Sequence, residues 1–152
     1  MVSPLEDFFE IAKAFCLWSE SPPGKPDDEV STALQFVSRL YSLAFQLPSD
    51  FHENEALSIP HEKWQIVFER FDSLPFNYYK TVVDPFELER EDICLGDVAD
   101  DLADIWRDIK PGILLYESGN REAAGYEWRE SFNIHWGQHA ANAIWILQSW
   151  RR

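Results

Sequence analysis

Cysteine is scarce in this chain. Cys16 and Cys94 are the only two, and neither stands in a CxxC or Cys/His spacing that marks a zinc site or a redox pair. Both are expected to be free thiols, Cys16 in a helical pattern and Cys94 in an acidic loop. Bases are also short, 13 against 27 acids, which leaves a formal charge of −14. Attraction to nucleic acid phosphates or anionic lipid is thereby disfavoured, and a basic protein partner or a cation is favoured instead. The plainer account of the charge is solubility. No apolar run approaches the roughly 18 residues that span a bilayer, and the opening MVSPLEDFFEIAK carries acids where a secretory leader carries lysine or arginine. A soluble cytoplasmic protein with no membrane association is expected. Also missing are a serine or cysteine nucleophile motif and a glycine-rich phosphate loop, which argues against acyl transfer through a triad and against P-loop nucleotide binding.

What is present is core material. With 152 residues, 45% of them apolar, seven Trp and eleven Phe, the chain suits one domain over 1–152 around one core. SPLE at the start places Ser3 as a cap, Pro4 at the first helical position and Glu6 to close a capping box. Leu5, Phe8, Phe9, Ala12, Phe15 and Cys16 then recur at helical spacing to about Ser19, where SPPGKP stops the helix. A second helix runs from Asp27 or Asp28 to about Leu47. A third follows Ser58 and Pro60 through Phe71, and Pro75 interrupts it. FNYYKTVV stays open, because Tyr, Thr and Val also suit a strand. DPFELEREDICLGD is read as an acidic connection. From Asp97 to Tyr116 helical periodicity returns, with Pro111 inside it; Gly119 then ends that helix and Asn120 begins one that extends almost to Arg152. The expected fold is all-α: an antiparallel helical bundle of four or five main helices, the last one long.

Within that last helix lies FNIHWGQHAANAIWIL, residues 132–147, with two histidines four apart. At about 100° per residue, His135 and His139 fall on one arc with Trp128, Phe132, Asn142, Ala143 and Ile146, near the middle of the apolar face. Buried imidazoles require partners, since an unpaired buried polar group costs about 1–3 kcal/mol. The preceding helix offers them. Asp97, Asp101, Asp104 and Asp108 occupy an arc of about 60° beside its apolar stripe. Asp97, Asp100 and Asp101 suit the first turn of a helix, where free amides favour carboxylates, but Asp104 and Asp108 lie mid-helix. Helices packed antiparallel would set these acids against His135 and His139, with Arg107 and Arg129 able to join them.

In GDVADDLADIWRDIKPGILLYESG and EWRESFNIHWGQHAANA, together with the leading FFEIAKAFCLW, the sequence resembles the bacterial family known as domain of unknown function 5063. The resemblance covers most of the chain and implies a cytoplasmic, all-helical protein; it brings no established activity with it.

Three readings of the cluster stay open. One is a structural network in which Asp104 or Asp108 fixes a histidine tautomer and an arginine balances the charge. Another is a divalent metal site formed by His135, His139 and Asp104, since histidines at i and i+4 can face one ion. HExxH is absent, Trp136 standing where its glutamate would be, and so is the ExxH of di-iron bundles. HWGQH has a loose likeness to DinB-type metal-binding bundles, whose third histidine would have to be His52 or His61. In the third reading an acidic surface docks a basic partner. The sequence points to a binding or protein-interaction module carrying Asp101, Asp104, Asp108, Arg107, His135 and His139 as its polar cluster. The alternative is a metal-dependent hydrolase using the same histidines and aspartates.

Overall fold

The Ser3 hydroxyl accepts a hydrogen bond from the Glu6 amide at 3.1 Å, and Pro4 follows in the first turn, where its missing N–H costs nothing. From this cap α1 runs over Pro4–Ser19 and buries Phe8, Ala12, Phe15 and Cys16. In this computed structural model residues 1–53 and 57–151 are described. A second proline start, Pro26, opens α2 (Pro26–Ala44), whose buried stripe is Val30, Ala33, Leu34, Val37, Leu40 and Ala44. The short α3 (His61–Phe71) presents Val67 and Phe71 to the core.

The protein is mainly helical rather than all-α. β1 (Tyr78–Val82) pairs antiparallel with β2 (Ile93–Asp97) in a two-stranded sheet whose register sets Tyr78 opposite Asp97 and Val82 opposite Ile93. The open segment FNYYKTVV thus resolves toward its β-forming residues, and the stretch read as an acidic connection supplies the second strand. Alternation explains the pairing: Tyr79 points inward and is buried, while Tyr78, Lys80 and Val82 point outward.

Asp97 ends β2 and caps α4 (Val98–Glu117), its carboxylate accepting from the Ala99 amide at 3.0 Å. α4 is the central element. It packs against α1, α3 and the two helices that follow, and Ala99, Leu102, Ala103, Ile105 and Ile109 are almost wholly buried. Gly119, at φ +96°, closes it in the left-handed conformation that glycine adopts without strain.

The remaining chain follows one helical path. α5 (Arg121–Ser131) passes through a π turn over Phe132–Trp136 into α6 (Gly137–Arg151). The Gly137 amide bonds to the Phe132 carbonyl, five residues back. One residue is thereby added to the turn, and everything beyond it rotates by about 100° relative to an unbroken helix. The buried face therefore runs through Trp128, Phe132, Trp136, Ala140, Ala143 and Leu147. His135 and His139 lie at its margin rather than at its middle, because the even 100° wheel does not anticipate the π turn.

Candidate functional site: a carboxylate–imidazole cluster

On α4, Asp101, Asp104 and Asp108 are separated by three and four residues, so their side chains share one face. His135 projects from the π turn and His139 from the first turn of α6. His135 Nδ1 lies 2.5 Å from an oxygen of Asp108, and His139 Nδ1 lies 2.7 Å from Asp101 Oδ1. The pairing therefore runs backwards along α4 as it runs forwards along the last helix. Between the two pairs stands Asp104. Its Oδ2 is 3.2 Å from His139 Nε2 and 3.7 Å from His135 Nε2. Its other oxygen accepts from Arg107 Nη2 and from the Trp64 indole of α3, each at 2.8 Å. Arg107 also lies over the Trp64 ring, 5.5 Å from its centroid.

Asp101 is held a second time, by the hydroxyl of Tyr79 on β1. The sheet therefore supports the cluster from behind. Burial differs across the group: Asp101 and Asp104 are buried, whereas the side chain of His135 is 41% exposed and that of His139 is 22% exposed. The carboxylates form the floor and the imidazoles the solvent side.

The electrostatics follow from crowding. Burial is the largest influence on Asp108 and raises its carboxyl pKa; the hydrogen bond from His135 opposes this, and the charge of Asp104 adds to it. Asp100 is raised by burial and by Asp104. For His139 burial is again the largest influence and acts downward, yet the hydrogen bond to Asp101 and the charges of Asp101, Asp104 and Asp100 together leave its pKa raised. Tyr79 is pushed up by burial and by Asp101, so its hydroxyl stays a donor.

This donor set fits a divalent transition metal. With a proton on each Nδ1, held by Asp108 or Asp101, both Nε2 atoms carry a free lone pair and lie on the Asp104 side of the cluster. A nitrogen from each ring and an Asp104 oxygen all lie within 4.8 Å of one another. Ligand bonds of about 2.0–2.1 Å in tetrahedral geometry put neighbouring ligand atoms about 3.3 Å apart, and the two separations from Asp104 bracket that value. A second trio, Asp100, Asp101 and His139, meets the same criterion.

Every residue named from the sequence for the polar cluster, Asp101, Asp104, Arg107, Asp108, His135 and His139, is brought together here. Arg129 is not: its Nη1 donates to the carbonyls of Ala44, Phe45 and Leu47 at 3.0–3.2 Å and closes the end of α2. Asp97 serves as a cap. Neither candidate third histidine joins the group: His52 lies 3.5 Å from Glu122, and His61 stacks on Trp64. Trp64 and Tyr79 escaped the sequence reading. Trp64 matched the apolar stripe of α3 and Tyr79 sat in the unassigned segment, so neither carried a local sign of a polar role.

Together these features define a mainly helical protein with a small antiparallel sheet and an imidazole–carboxylate cluster at the flank of its central helix. The family described as domain of unknown function (DUF5063) matches over residues 3–152, and the chain belongs to that family. Among solved structures it is similar to protein BF1032 from Bacteroides fragilis, with a TM-score of 0.73 and 23% identity over 93% of this chain and 91% of that one. That likeness shows a shared fold. No curated protein matches the sequence. No helix among the described residues is long and apolar enough to cross a membrane.

Proposed function

We propose that the protein is a metal-binding module in which His135, His139 and Asp104 hold one divalent ion of the zinc, iron or manganese kind. The observation that carries this reading is the shared target of the two rings. Each imidazole is pinned through Nδ1 by its own aspartate, and the two Nε2 atoms lie 3.2 and 3.7 Å from one oxygen of Asp104. Metal-binding histidines commonly donate their far N–H to a carboxylate in this way, which fixes the tautomer and raises ligand basicity. A purely structural network accounts for the contacts less well. Asp100, Asp101, Asp104 and Asp108 set four carboxylates against Arg107 and two imidazoles, and a divalent cation offsets the excess of negative charge.

The helices act as an antiparallel bundle that sets the ligands in register. Trp64 and Arg107 occupy Asp104 Oδ1 and leave Oδ2 for the ion. Three protein ligands leave further coordination positions open, and a bound ion there supplies Lewis acidity toward water or a substrate oxygen, the basis of metal-dependent hydrolysis.

Metal analysis of untagged protein, purified with and without zinc, iron or manganese supplementation, tests the reading. About one equivalent per chain is expected, with loss of the metal and of metal-dependent thermal stabilisation in a His135→Ala, His139→Ala double variant. Well under one equivalent after supplementation, or equal loading of the double variant, would overturn it.

A further inference from the structure

The hairpin has one face on the protein and the other in water. Tyr79 and Thr81 alternate inward on β1, and Cys94 and Gly96 do so on β2. The opposite face of a half-buried sheet is ordinarily polar. Here it carries Tyr78, Val82, Ile93 and Leu95, all exposed, with Lys80 and the capping Asp97 the polar exceptions. At the tip Phe86 and Leu88 are 89% and 90% exposed. Exposed apolar side chains scattered singly call for no explanation, but a set gathered on one hairpin marks an interaction surface. Among the described residues the sheet has these two strands alone, so each is an edge strand.

Charge says what this surface fits. Between the strands lie Asp84, Glu87, Glu89, Glu91 and Asp92, against the single base Arg90. Arg90 is itself engaged by Asp92 at 2.8 Å and Glu87 at 3.4 Å. An apolar face with an acidic rim repels a second copy of this chain, which brings the same rim and the same net charge of −14, and it repels an anionic bilayer for the same reason. It attracts the reverse pattern.

We propose that the outer face of this hairpin docks a segment of another protein that carries apolar side chains flanked by lysine or arginine. The apolar contacts supply the affinity, and the carboxylates steer the encounter and select the sign of the partner. The inference rests on the hairpin alone and stands or falls separately from the metal site.

A labelled synthetic peptide of alternating valine or leucine with lysine, titrated into the full chain by fluorescence anisotropy, provides the test. A glutamate-for-lysine peptide and a lysine peptide with serine for its apolar residues are the comparisons. The alternating lysine peptide is expected to bind, with amide shifts concentrated in residues 78–97. A Val82→Ser, Ile93→Ser, Leu95→Ser variant should bind it about tenfold more weakly or worse. These side chains stand in solvent, so the helical circular dichroism should persist; should the triple variant unfold, Phe86→Ser and Leu88→Ser at the tip take its place. Glu87→Gln, Glu89→Gln, Glu91→Gln should lower affinity and flatten its salt dependence. Equal binding of the serine-substituted lysine peptide would overturn the proposal by showing charge alone at work. So would unchanged binding by the apolar-face variants, or a concentration-dependent dimer abolished by them, which would make a second copy the occupant.

Discussion

Asp101 links the sheet to the cluster, since it joins the Tyr79 hydroxyl to His139 Nδ1. In Asp101→Asn the shape is kept, but an amide in that place can donate to Nδ1 and drive the ring proton to Nε2, the atom that must carry a free lone pair. Second-sphere partners of this kind are typically worth about 10- to 100-fold in metal affinity. Zinc affinity of Asp101→Asn, measured by chelator competition, is therefore expected to drop by about that factor with the fold intact. An unaltered affinity would show that Asp101 does not set the tautomer.

His139 brings a pH dependence of definite sign. Burial pulls its pKa down, but the hydrogen bond to Asp101 and the charges of Asp101, Asp104 and Asp100 hold it above the ordinary histidine value of about 6.5. Its contribution to the metal-free protein is thus full below about pH 6.5 and is lost as pH rises through the folded value. A metal ion competes with that same proton, so zinc affinity should rise across the window where metal-free stability falls. Thermal melts in chelator and zinc titrations at matched pH check both limbs. An affinity that stays flat from about pH 6 to above the raised pKa would remove His139 from the ligand set.

The π turn determines where the histidines point, and Gly137 is what permits it. A Cβ at that position would meet the Phe132 carbonyl oxygen at 2.5 Å and the Phe132 ring at 3.2 Å. In an ordinary helix interior, alanine for glycine is favourable by about 1 kcal/mol. Here the sign should reverse. Gly137→Ala is expected to lower the melting temperature and, by undoing the extra residue of the turn, to weaken zinc binding as well. A stabilised variant with full metal affinity would show that the turn does not position the rings.

The same turn marks a limit of what the sequence discloses. The helices α1, α2 and α4 were legible because caps, prolines and three-and-four spacing are local signals. The two histidines and the α4 aspartates were legible as a cluster for the same reason. The π turn was not, since its extra residue mimics continued α-helix over any short window, and the predicted wheel placed the rings too far inward. β2 was hidden by its brevity and its acidic approach. Arg129 illustrates the long-range case: nothing within its own helix indicates that it will cap α2 instead of joining the aspartates.

Over the whole molecule, 27 acids against 13 bases make like-charge repulsion a general cost of folding. Salt acts on it in two opposed ways. It weakens the exposed pairs, such as Lys13–Glu117 and Arg90–Asp92, which solvent already screens. It barely reaches the Glu29–Arg70 pair, 2.7 Å apart and buried where α2 meets α3, with Arg70 also bonded to the Ser21 and Trp18 carbonyls. Against these stands the repulsion among the unbalanced carboxylates, which salt relieves everywhere at once. The repulsion should dominate, because the attractive pairs most open to screening are few and weak. Raising sodium chloride from about 0.01 M to about 0.15 M shortens the screening length from about 30 Å to about 8 Å, and the melting temperature of the metal-free protein should climb over that interval. Zinc-loaded protein should climb less, since the ion has already relieved the most crowded carboxylates. A melting temperature that falls with salt would mean that specific ion pairs, and not net charge, control the stability of this fold.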